Sequence, residues 1–264
     1  MKTLLVLLAA AAATASAQND GALYNEICAQ CHDKGVPRAP QRDVLRAMTP
    51  ERVLAALETG PMILMTIRRT AAERRAIAEF ASGKPLGSGP ELLPPPEAMC
   101  KVQAKSSVLS GPQWTGWGVT TSNTRFQNDA AAGLKASDVP KLKVKWAFAM
   151  PTDLTAFGQP TVSGGRVFIG SQTGFVYSLD ASSGCVNWYF QASSWVRDAF
   201  SFGKLGATEA VYFADGVANA YAVDAQSGKQ IWKTKLDDFP SARGTGSPAL
   251  YNGKLFYGVA SGEE

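Results

Sequence analysis

Two kinds of hydrophobic spacing divide the chain. Between residues 18 and 83, apolar residues recur at the three- and four-residue intervals of amphipathic helices. Beyond residue 113, they alternate with polar residues in short runs separated by turn residues, which is typical of β-strands. The stretch between, residues 84–112, begins with a Pro-, Gly- and Ser-rich run and predicts a semi-extended linker. The pattern predicts a multidomain protein, with a small all-α domain followed by an all-β domain.

Two helices of the first domain have clear start and stop signals. Thr49 is a predicted N-cap ahead of a proline, and this helix is expected to end at Gly60. Thr70 opens a capping box, and the helix that follows is expected to end at Gly83. A third helix is predicted immediately before Cys28, where apolar residues again have helical spacing.

The second domain contains an internal repeat of 44 residues. Asp180, Gly184 and Trp188 recur as Asp224, Gly228 and Trp232. A period of about 44 residues with strand-type sequence is typical of one four-stranded propeller blade. In each copy we expect the aspartate to hydrogen-bond the turn backbone, the glycine to be left-handed, and the tryptophan to pack between neighbouring blades. Residues 113–264 therefore predict an incomplete propeller of two blades and part of a third.

The first 17 residues are predicted to be a secretory signal peptide. Lys2 precedes an apolar run from Leu4 to Ala13, and small residues at Ala15–Ala17 form a cleavage site. The run is too short and wrongly flanked to span a bilayer, so we expect a periplasmic protein with no membrane span after cleavage, and an uncleaved anchor is the alternative. The net charge of +4 comes from scattered Lys and Arg, and we expect no nucleic-acid partner.

The chemistry is concentrated in the segment Cys28–His32, which reads Cys-x-x-Cys-His and contains the only histidine of the chain. Two thiols one helical turn apart can add to the vinyl groups of one porphyrin, and the adjacent imidazole can bind its iron. A redox or zinc pair is the alternative, but no βαβ pattern and no second ligand pair accompany it. We predict a cytochrome c domain over residues 18–83, with haem c attached to Cys28 and Cys31 and with His32 as axial ligand.

Met62 and Met65 are the candidates for the sixth ligand of the haem iron. A methionine opposite a histidine raises the reduction potential, and both residues lie in the loop ahead of the last predicted helix. Met62 follows Gly-Pro, a rigid turn, and is preferred, while Met65 remains the alternative. For either residue, filling the core is the competing interpretation.

The repeat resembles the blades of the quinoprotein dehydrogenases, propellers that hold pyrroloquinoline quinone (PQQ). The segments Trp114–Gly118 and Lys143–Phe148 resemble the opening of that family's propeller. The order of the parts is also similar to that of a known family. A cytochrome first, then a proline-rich linker and then this kind of propeller is the order in the polyvinyl-alcohol dehydrogenases (cytochrome), which are quinohaemoproteins. The resemblance implies oxidation of a secondary or polymeric alcohol at PQQ, with electrons passing to haem c and then to a periplasmic acceptor.

The resemblance also implies cofactor residues. Arg197 resembles the family's arginine beside the quinone oxygens, and Thr245 matches a threonine able to donate to a PQQ carboxylate. The end of the chain looks like the family's Ser-Gly-Ala-Glu, so Ser261 and Gly262 would contact PQQ and Glu264 would bind its calcium. The competing interpretations are a surface arginine and a polar terminus.

The chain also departs from the family's pattern. It has no vicinal cysteine pair, and Phe157–Gln159 stands where one branch has a glutamate. The unassigned Cys100 and Cys185 could form a disulfide that pins the linker to the first blade.

The propeller is short for a closed ring. About 150 residues follow the linker, whereas an eight-bladed ring needs roughly 350. The family's catalytic aspartate would lie beyond them, so no catalytic residue is predicted here and the chain resembles an N-terminal fragment. The alternatives are a cytochrome fused to a non-catalytic propeller scaffold and a pseudo-enzyme fragment that never binds PQQ.

Overall fold

The structure is a computed structural model that describes residues 21–88, 93–103, 106–120, 122–151, 153 and 156–261. The predicted signal peptide, Gly262 and Glu264 lie outside these ranges. The chain divides into two compact units between residues 91 and 92, inside the predicted linker. No helix in the described ranges is long and apolar enough to cross a membrane.

The first unit consists of short helices. They are α1 (residues 21–27), α2 (Ala29–His32), α3 (Arg42–Ala47), α4 (Pro50–Glu58), α5 (Ile63–Thr66) and α6 (Ala71–Ser82). The α4 and α6 helices pack against one another, and α3 and α5 lie on this pair. Three of these helices have only four to six residues, so their stability comes from packing more than from helix propensity.

Both predicted helix starts are confirmed by side-chain caps. The Thr49 hydroxyl accepts a hydrogen bond of 3.2 Å from the N–H of Arg52. At the start of α6, the Thr70 hydroxyl accepts from the N–H of Glu73 at 3.2 Å, and the Glu73 carboxylate accepts from the N–H of Thr70 at 2.7 Å. This reciprocal pair satisfies N–H groups that have no partner within the helix. The α6 helix ends at Gly83, whose φ is +69°.

The core of the first unit is small. Its buried members are Leu23, Tyr24, Leu45, Val53, Leu57, Ile77, Ala78 and Ala81. Half-buried residues that pack against them include Ile27, Cys28, Met48, Leu54, Met62 and Phe80. A domain of this size buries little apolar surface, so a further apolar group in the core would stabilise it.

The second unit contains two four-stranded antiparallel sheets with strands in sequential order. Blade 1 is β1 (Thr161–Ser163), β2 (Arg166–Gly170), β3 (Phe175–Asp180) and β4 (Val186–Gln191). Blade 2 is β5 (Ser201–Leu205), β6 (Thr208–Ala214), β7 (Asn219–Asp224) and β8 (Gln230–Lys235). These sheets confirm the two predicted blades.

The remaining elements of this unit are short. The strands β10 (Ala249–Tyr251) and β11 (Lys254–Phe256) form a hairpin, and β9 (Arg243–Gly244) pairs with β12 (Val259–Ala260). One helical turn, α7 (Asp129–Ala132), and two 3₁₀ turns, Pro96–Ala98 and Ala136–Lys141, precede the blades. The β10–β11 hairpin lies in the region for which part of a third blade is predicted.

The turn between the third and fourth strands of each blade has the predicted hydrogen bonds. In blade 1, Asp180 accepts from the N–H groups of Ser182 at 3.0 Å and Ser183 at 2.8 Å. Asp224 accepts from the equivalent N–H groups in blade 2. Gly184 closes the first of these turns with a φ of +77°, a conformation that favours glycine.

The repeat tryptophan joins one blade to the next. The indole N–H of Trp188, on β4 of blade 1, donates a 2.9 Å hydrogen bond to the carbonyl of Ala225 in blade 2. The ring lies over Gly228, where a Cβ would come within 2.7 Å of the Trp188 Cδ2 atom. The predicted packing of the tryptophan between neighbouring blades is therefore confirmed.

One cluster of buried side chains spans both blades. The ring centroid of Phe168 lies 5.8 Å from that of Trp188, 6.4 Å from that of Phe200 and 4.9 Å from that of Phe202. Further members are Val176, Val196, Val211, Phe213, Tyr221 and Val223. Because both sheets contribute to one cluster, the two blades pack face to face, as successive blades of a propeller do.

Part of the predicted linker is attached to the edge of blade 1. Cys100 and Cys185 form a disulfide, with their Cα atoms 5.0 Å apart. Next to it, the N–H of Cys100 donates to the carbonyl of Val186 at 2.9 Å, and Met99 forms a parallel bridge with the same residue. Residues 99–100 thus add backbone contacts to the outermost strand.

The following residues are packed still more closely, in contrast to a semi-extended linker. Val108 is fully buried in the cluster that spans both blades. Its N–H donates to a carboxylate oxygen of Glu209 at 2.8 Å, and the Ser107 hydroxyl donates to the other oxygen. The Ser163 hydroxyl donates to the carbonyl of Val108. Burying a valine side chain contributes about 1.5–3 kcal/mol, which offsets part of the cost of ordering this segment.

Candidate functional site

The Cys-x-x-Cys-His motif lies at the junction of α1 and α2. Cys28 is half-buried against the core of the first unit, whereas Cys31 is exposed, and neither forms a disulfide. The N–H groups of Cys31 and His32 donate to the carbonyl of Cys28, at 3.1 and 3.0 Å. The two thiols and the imidazole therefore lie on one helical turn, as haem attachment requires.

The imidazole of His32 is held in one tautomer. The ring is buried, and its Nδ1 atom lies 2.6 Å from the carbonyl oxygen of Pro40. Because a carbonyl oxygen can only accept, Nδ1 must carry the hydrogen, and the lone pair of Nε2 is left for another partner. Metal-binding histidines commonly donate their second ring N–H in this way, which orients the ring. His32 therefore fits the role of a ligand to haem iron through Nε2.

The Cys28 thiol lies in an environment that keeps it neutral. Burial raises the pKa of this thiol to about 11, the Asp33 carboxylate contributes in the same direction, and Arg42 opposes them. A neutral sulfur facing apolar side chains fits a position beside a porphyrin that shares the same core.

The structure distinguishes the two methionine candidates. Met62 is half-buried and packs against the core cluster that includes Cys28. Its N–H donates to the carbonyl of Ala56 at 2.9 Å, which fixes the loop to α4. Met65 is 61% exposed and is not a member of that cluster. Met62 thus packs against the same core cluster as Cys28, as does Met48, whereas Met65 is exposed.

A cation beside the motif was not identified from the sequence. The guanidinium carbon of Arg42 lies 4.0 Å from the ring centroid of Tyr24 and 4.6 Å from that of Phe80. Arg42 also pairs with Asp33 at 3.5 Å, and the Tyr24 hydroxyl donates to the same carboxylate at 2.8 Å. These contacts attach Asp33, the residue after His32, to Tyr24 on α1 and to Arg42 on α3. No local sequence pattern reveals them.

Arg197 lies on the loop between the two blades. Its side chain is exposed, and its guanidinium carbon is 4.6 Å from the ring centroid of Trp195. It forms no ion pair in the described part of the chain. Trp195 in turn lies against Gly216, whose N–H donates to the Trp195 carbonyl at 2.8 Å. A guanidinium on an anchored aromatic ring, without a counter-ion, fits an anionic ligand such as PQQ.

The neighbouring Asp198 points inward and anchors this loop. Its carboxyl is fully buried, and one oxygen accepts from the N–H of Ala214 at 2.9 Å. Within the described ranges, the other oxygen has no hydrogen-bond partner. Burial holds the pKa of this carboxyl well above its usual range, opposed by the Ala214 N–H, and the Asp215 charge adds to the rise. The sequence offered no sign of this burial.

Thr245 and Ser261 lie on one short ribbon but not side by side. In the β9–β12 pair, Val259 lies opposite Gly244. Ser261 and Thr245 are each one residue beyond these paired strands, in opposite directions along the ribbon. If the register is extended to them, they lie three positions apart, a distance of about 10 Å. The N–H of Ala199 donates to the Ser247 hydroxyl at 2.9 Å, which joins the Arg197 loop to the Thr245 segment. The structure therefore brings the segments of Arg197 and Thr245 together and leaves Ser261 further along.

The calcium prediction finds no support in the described residues. They contain no group of three or more His, Cys, Asp or Glu side chains able to hold a metal ion. Glu264 and Gly262, predicted from the resemblance, lie outside the described ranges. Their roles stay predictions.

Known proteins resemble this chain in both units. Residues 136–263 match the family model described as outer membrane protein assembly factor BamB (PQQ_2). The chain is 40% identical to polyvinylalcohol dehydrogenase from Pseudomonas sp., over 99% of this chain and 43% of that protein. It is 38% identical to polyvinylalcohol dehydrogenase from Sphingopyxis sp. (strain 113P3), over 94% of this chain and 40% of that protein. The chain therefore spans less than half the length of these curated relatives.

Among solved structures, quinohemoprotein alcohol dehydrogenase from Comamonas testosteroni aligns with a TM-score of 0.48 and 21% identity. The alignment covers 56% of this chain and 23% of that one.

Proposed function

The chain is a homologue of the polyvinylalcohol dehydrogenases over nearly its whole length, and on this premise we propose that it acts in a periplasmic quinohaemoprotein oxidoreductase. This protein oxidises secondary alcohols, including polymeric ones, at PQQ and passes the electrons through haem c to a periplasmic acceptor. The observation that carries the proposal is the hydrogen bond from Nδ1 of His32 to the Pro40 carbonyl, which leaves Nε2 for iron.

The first unit is the proposed cytochrome c domain. When bound, haem c supplies a one-electron carrier, and its porphyrin completes the small core of this unit. The thiols of Cys28 and Cys31 hold the porphyrin covalently, and Nε2 of His32 binds the iron. Met62 is the proposed sixth ligand, because it packs in the cluster of Cys28 and is fixed to α4, whereas Met65 is exposed.

The second unit is the proposed PQQ-binding propeller. When bound, PQQ supplies the oxidant for the alcohol. The Arg197 guanidinium would bind the quinone oxygens, supported by its stacking on Trp195. Thr245 and Ser261 would contact other polar groups of PQQ. Gly262 is proposed beside them from the resemblance alone, and so is Glu264 as the ligand of a calcium ion.

Cofactor binding by the purified chain tests both halves of the proposal. Expression in a bacterium with cytochrome c maturation should give haem that stays attached in a denaturing gel. Titration with PQQ should quench tryptophan fluorescence, because Trp195 lies under Arg197. Arg197→Ala should weaken this titration about tenfold or more, whereas Lys229→Ala, a matched control at an exposed position of blade 2, should leave it unchanged.

The outcomes separate the competing functions. Covalent haem with no PQQ binding would support a cytochrome fused to a non-catalytic scaffold. Absence of covalent haem from a maturation-competent host would overturn the cytochrome assignment. For a chain that also carries the part of the polyvinylalcohol dehydrogenases beyond the matched region, loaded with PQQ and calcium, addition of polyvinyl alcohol should reduce the haem, as followed by its visible absorption bands.

A further inference from the structure

A groove of about 390 Å³ lies beside the first strand of blade 1. This volume falls in the range of about 300–1,000 Å³ that is typical of small-molecule sites. Among the described residues, those that line the groove carry no charge. Three of them are glutamines and the others are apolar, and the ones used below are Gln113, Gln127, Gln159, Trp114 and Pro160. The groove therefore suits a neutral ligand.

The indole of Trp114 is a fixed wall of this groove. Its backbone N–H donates to the carbonyl of Val162 on β1 at 2.8 Å, and its carbonyl accepts from the N–H of Val162 at 2.9 Å. The indole N–H donates to the Gly116 carbonyl at 3.0 Å. Because the single donor of the ring is used there, the indole offers a ligand only apolar surface, on which a carbon chain can pack.

The glutamines leave their amide oxygens free. Nε2 of Gln113 donates to the Val108 carbonyl, and Nε2 of Gln159 donates to the Pro160 carbonyl, both at 3.3 Å. A carbonyl can only accept, so these contacts fix which end of each amide is the oxygen. Within the described ranges, neither Oε1 atom accepts a hydrogen bond, and the Gln127 amide forms none. The lining side chains thus carry three free amide oxygens and one free amide NH₂ group.

These free groups restrict the chemistry of the ligand. An oxygen acceptor needs a donor, and neither a carboxylate nor an ether oxygen can donate. An ammonium group could donate, but no carboxylate is found among the described lining residues to balance its charge. Hydroxyl groups donate and accept, so they match both the amide oxygens and the NH₂ group of Gln127. With the indole beside them, the amides fit hydroxyl groups spaced along a carbon chain.

Strand register shows where the groove lies in the propeller. Thr161 pairs with Phe168 in blade 1, and Ser201 pairs with Tyr212 in blade 2. Phe168 and Tyr212 are separated by one repeat of 44 residues. Thr161 and Ser201 therefore hold equivalent positions at the starts of β1 and β5.

The groove lies at the end of blade 1 that corresponds to the Arg197 end of blade 2. Gln159 precedes Thr161 by two positions, and Arg197 precedes Ser201 by four. The segment that lines the groove is thus the blade 1 equivalent of the loop that carries Arg197. The two segments are also joined directly, because the N–H of Phe200 donates to the Thr161 hydroxyl at 3.0 Å.

We propose that this groove is a subsite for a polyhydroxylated carbon chain, and that it holds a part of a polymeric alcohol away from the hydroxyl being oxidised. The inference rests on the proposed function, which supplies the polymer and places PQQ at Arg197. Gln113, Gln127 and Gln159 exchange hydrogen bonds with hydroxyl groups of the polymer, and Trp114 packs on its carbon chain. A ligand with several hydroxyls binds better than a single alcohol, since every contact after the first is intramolecular.

Calorimetric titration of the purified full chain, without PQQ, tests this subsite. The probe is a short oligomer of vinyl alcohol. The matched probe is a methyl-capped polyethylene glycol of the same length, whose ether oxygens cannot donate. The vinyl alcohol oligomer should bind saturably. The capped glycol and propan-2-ol, a single alcohol, should each bind at least about tenfold more weakly.

Two variants of similar side-chain length locate the binding. Gln127→Met and Gln159→Met remove one amide each, and each should weaken binding of the vinyl alcohol oligomer about threefold to tenfold. The double variant should weaken it about tenfold to a hundredfold. Gln230→Met, at an exposed position of blade 2, is the matched control and should bind as the wild type does. Because Gln127 forms no hydrogen bond within the described ranges, Gln127→Met should keep the urea midpoint of the wild type.

Three results would overturn the subsite: no saturable binding of the vinyl alcohol oligomer, equal binding of the capped glycol, or wild-type binding by the double variant. Any of them in a chain that carries covalent haem and binds PQQ would leave the proposed function standing. Conversely, oligomer binding that depends on Gln127 and Gln159, in a chain that does not bind PQQ, would support the subsite and overturn the PQQ half of the proposed function.

Discussion

The helical unit and the propeller unit obtain their buried cores in different ways. The helical unit buries a few side chains between helices of four to twelve residues, and its haem motif lies against that same cluster. The propeller unit repeats its contacts, so that the Trp188–Ala225 and Trp146–Ala181 hydrogen bonds are copies of one interaction. On the proposed assignment, the core of the helical unit depends on the haem, whereas the core of the propeller unit depends on contacts between neighbouring blades. The two units should therefore respond to different substitutions.

The contrast can be measured because the probes are separate. All six tryptophans of the chain follow residue 113, so intrinsic fluorescence reports on the propeller unit. Far-UV circular dichroism of the helices and haem absorption report on the first unit.

The largest expected effect follows loss of both haem thiols. Cys28→Ser with Cys31→Ser should abolish covalent haem and unfold the helical unit, because its remaining core is too small. Tryptophan fluorescence should show the same propeller transition as the wild type. The measurements are haem staining in a denaturing gel and the helical circular dichroism signal. Helices that persist at full amplitude without haem would contradict the contrast between the units.

The next effect concerns the joint between the blades. Trp188→Ala removes a buried ring and its hydrogen bond to Ala225, so it should lower the free energy of unfolding of the propeller unit by about 3–5 kcal/mol. The matched control is Trp232→Ala, at the same repeat position but half-buried, which should cost about 1 kcal/mol. Urea titration followed by fluorescence gives both values. Equal losses of unfolding free energy would show that the contact of Trp188 with blade 2 adds no stability beyond that of a half-buried tryptophan.

A smaller effect is expected from the disulfide. Cys100→Ser with Cys185→Ser opens a covalent loop with a sequence separation of 85 and should cost the propeller unit about 2–4 kcal/mol. The helical unit should keep its haem and its circular dichroism signal. Reduction of the wild type should reproduce the loss in the same urea titration. A loss of haem from the double variant would mean that the two units are not independent.

The smallest effect should be a pH dependence confined to the propeller unit. Burial raises the folded-state pKa of Asp198, so the native state binds the proton more tightly than the unfolded state. The contribution of Asp198 to the free energy of unfolding is therefore complete below about pH 4, and it is lost as the pH rises through the folded-state pKa of this carboxyl. Asp198→Asn should match the wild type at low pH and become relatively more stable as pH rises. A difference that is constant with pH, measured by urea titration across the range, would refute this.

Local hydrogen bonding explains which elements could be predicted. The caps at Thr49 and Thr70 and the turn at Asp180 involve partners two or three residues away, so their sequence patterns are sufficient. The burial of Val108 depends on Glu209, which is 101 positions away. Composition could not show this contact, since it does not reveal which residues of a predicted linker meet a distant strand.

The same distinction between local and distant contacts applies to the candidate sites. The placement of the Cys-x-x-Cys-His motif on one helical turn could be predicted directly, because its spacing is local. The outward position of Arg197 and the burial of Asp198 needed the tertiary structure, since adjacent residues give no sign of which one faces the core. The choice between Met62 and Met65 likewise depends on which of them packs beside Cys28.

Sequence alone was enough for the features whose cause is local: the Cys28–His32 motif, the helix caps and the 44-residue repeat. Tertiary structure decided how distant segments are used, and residues 143–150 are the clearest example. Their strand-like pattern is visible in the sequence, but their position against blade 1 rests on the contacts of Trp146 and Phe148. Apolar burial is non-directional, so only the assembled neighbours determine which of several compatible surfaces a segment covers.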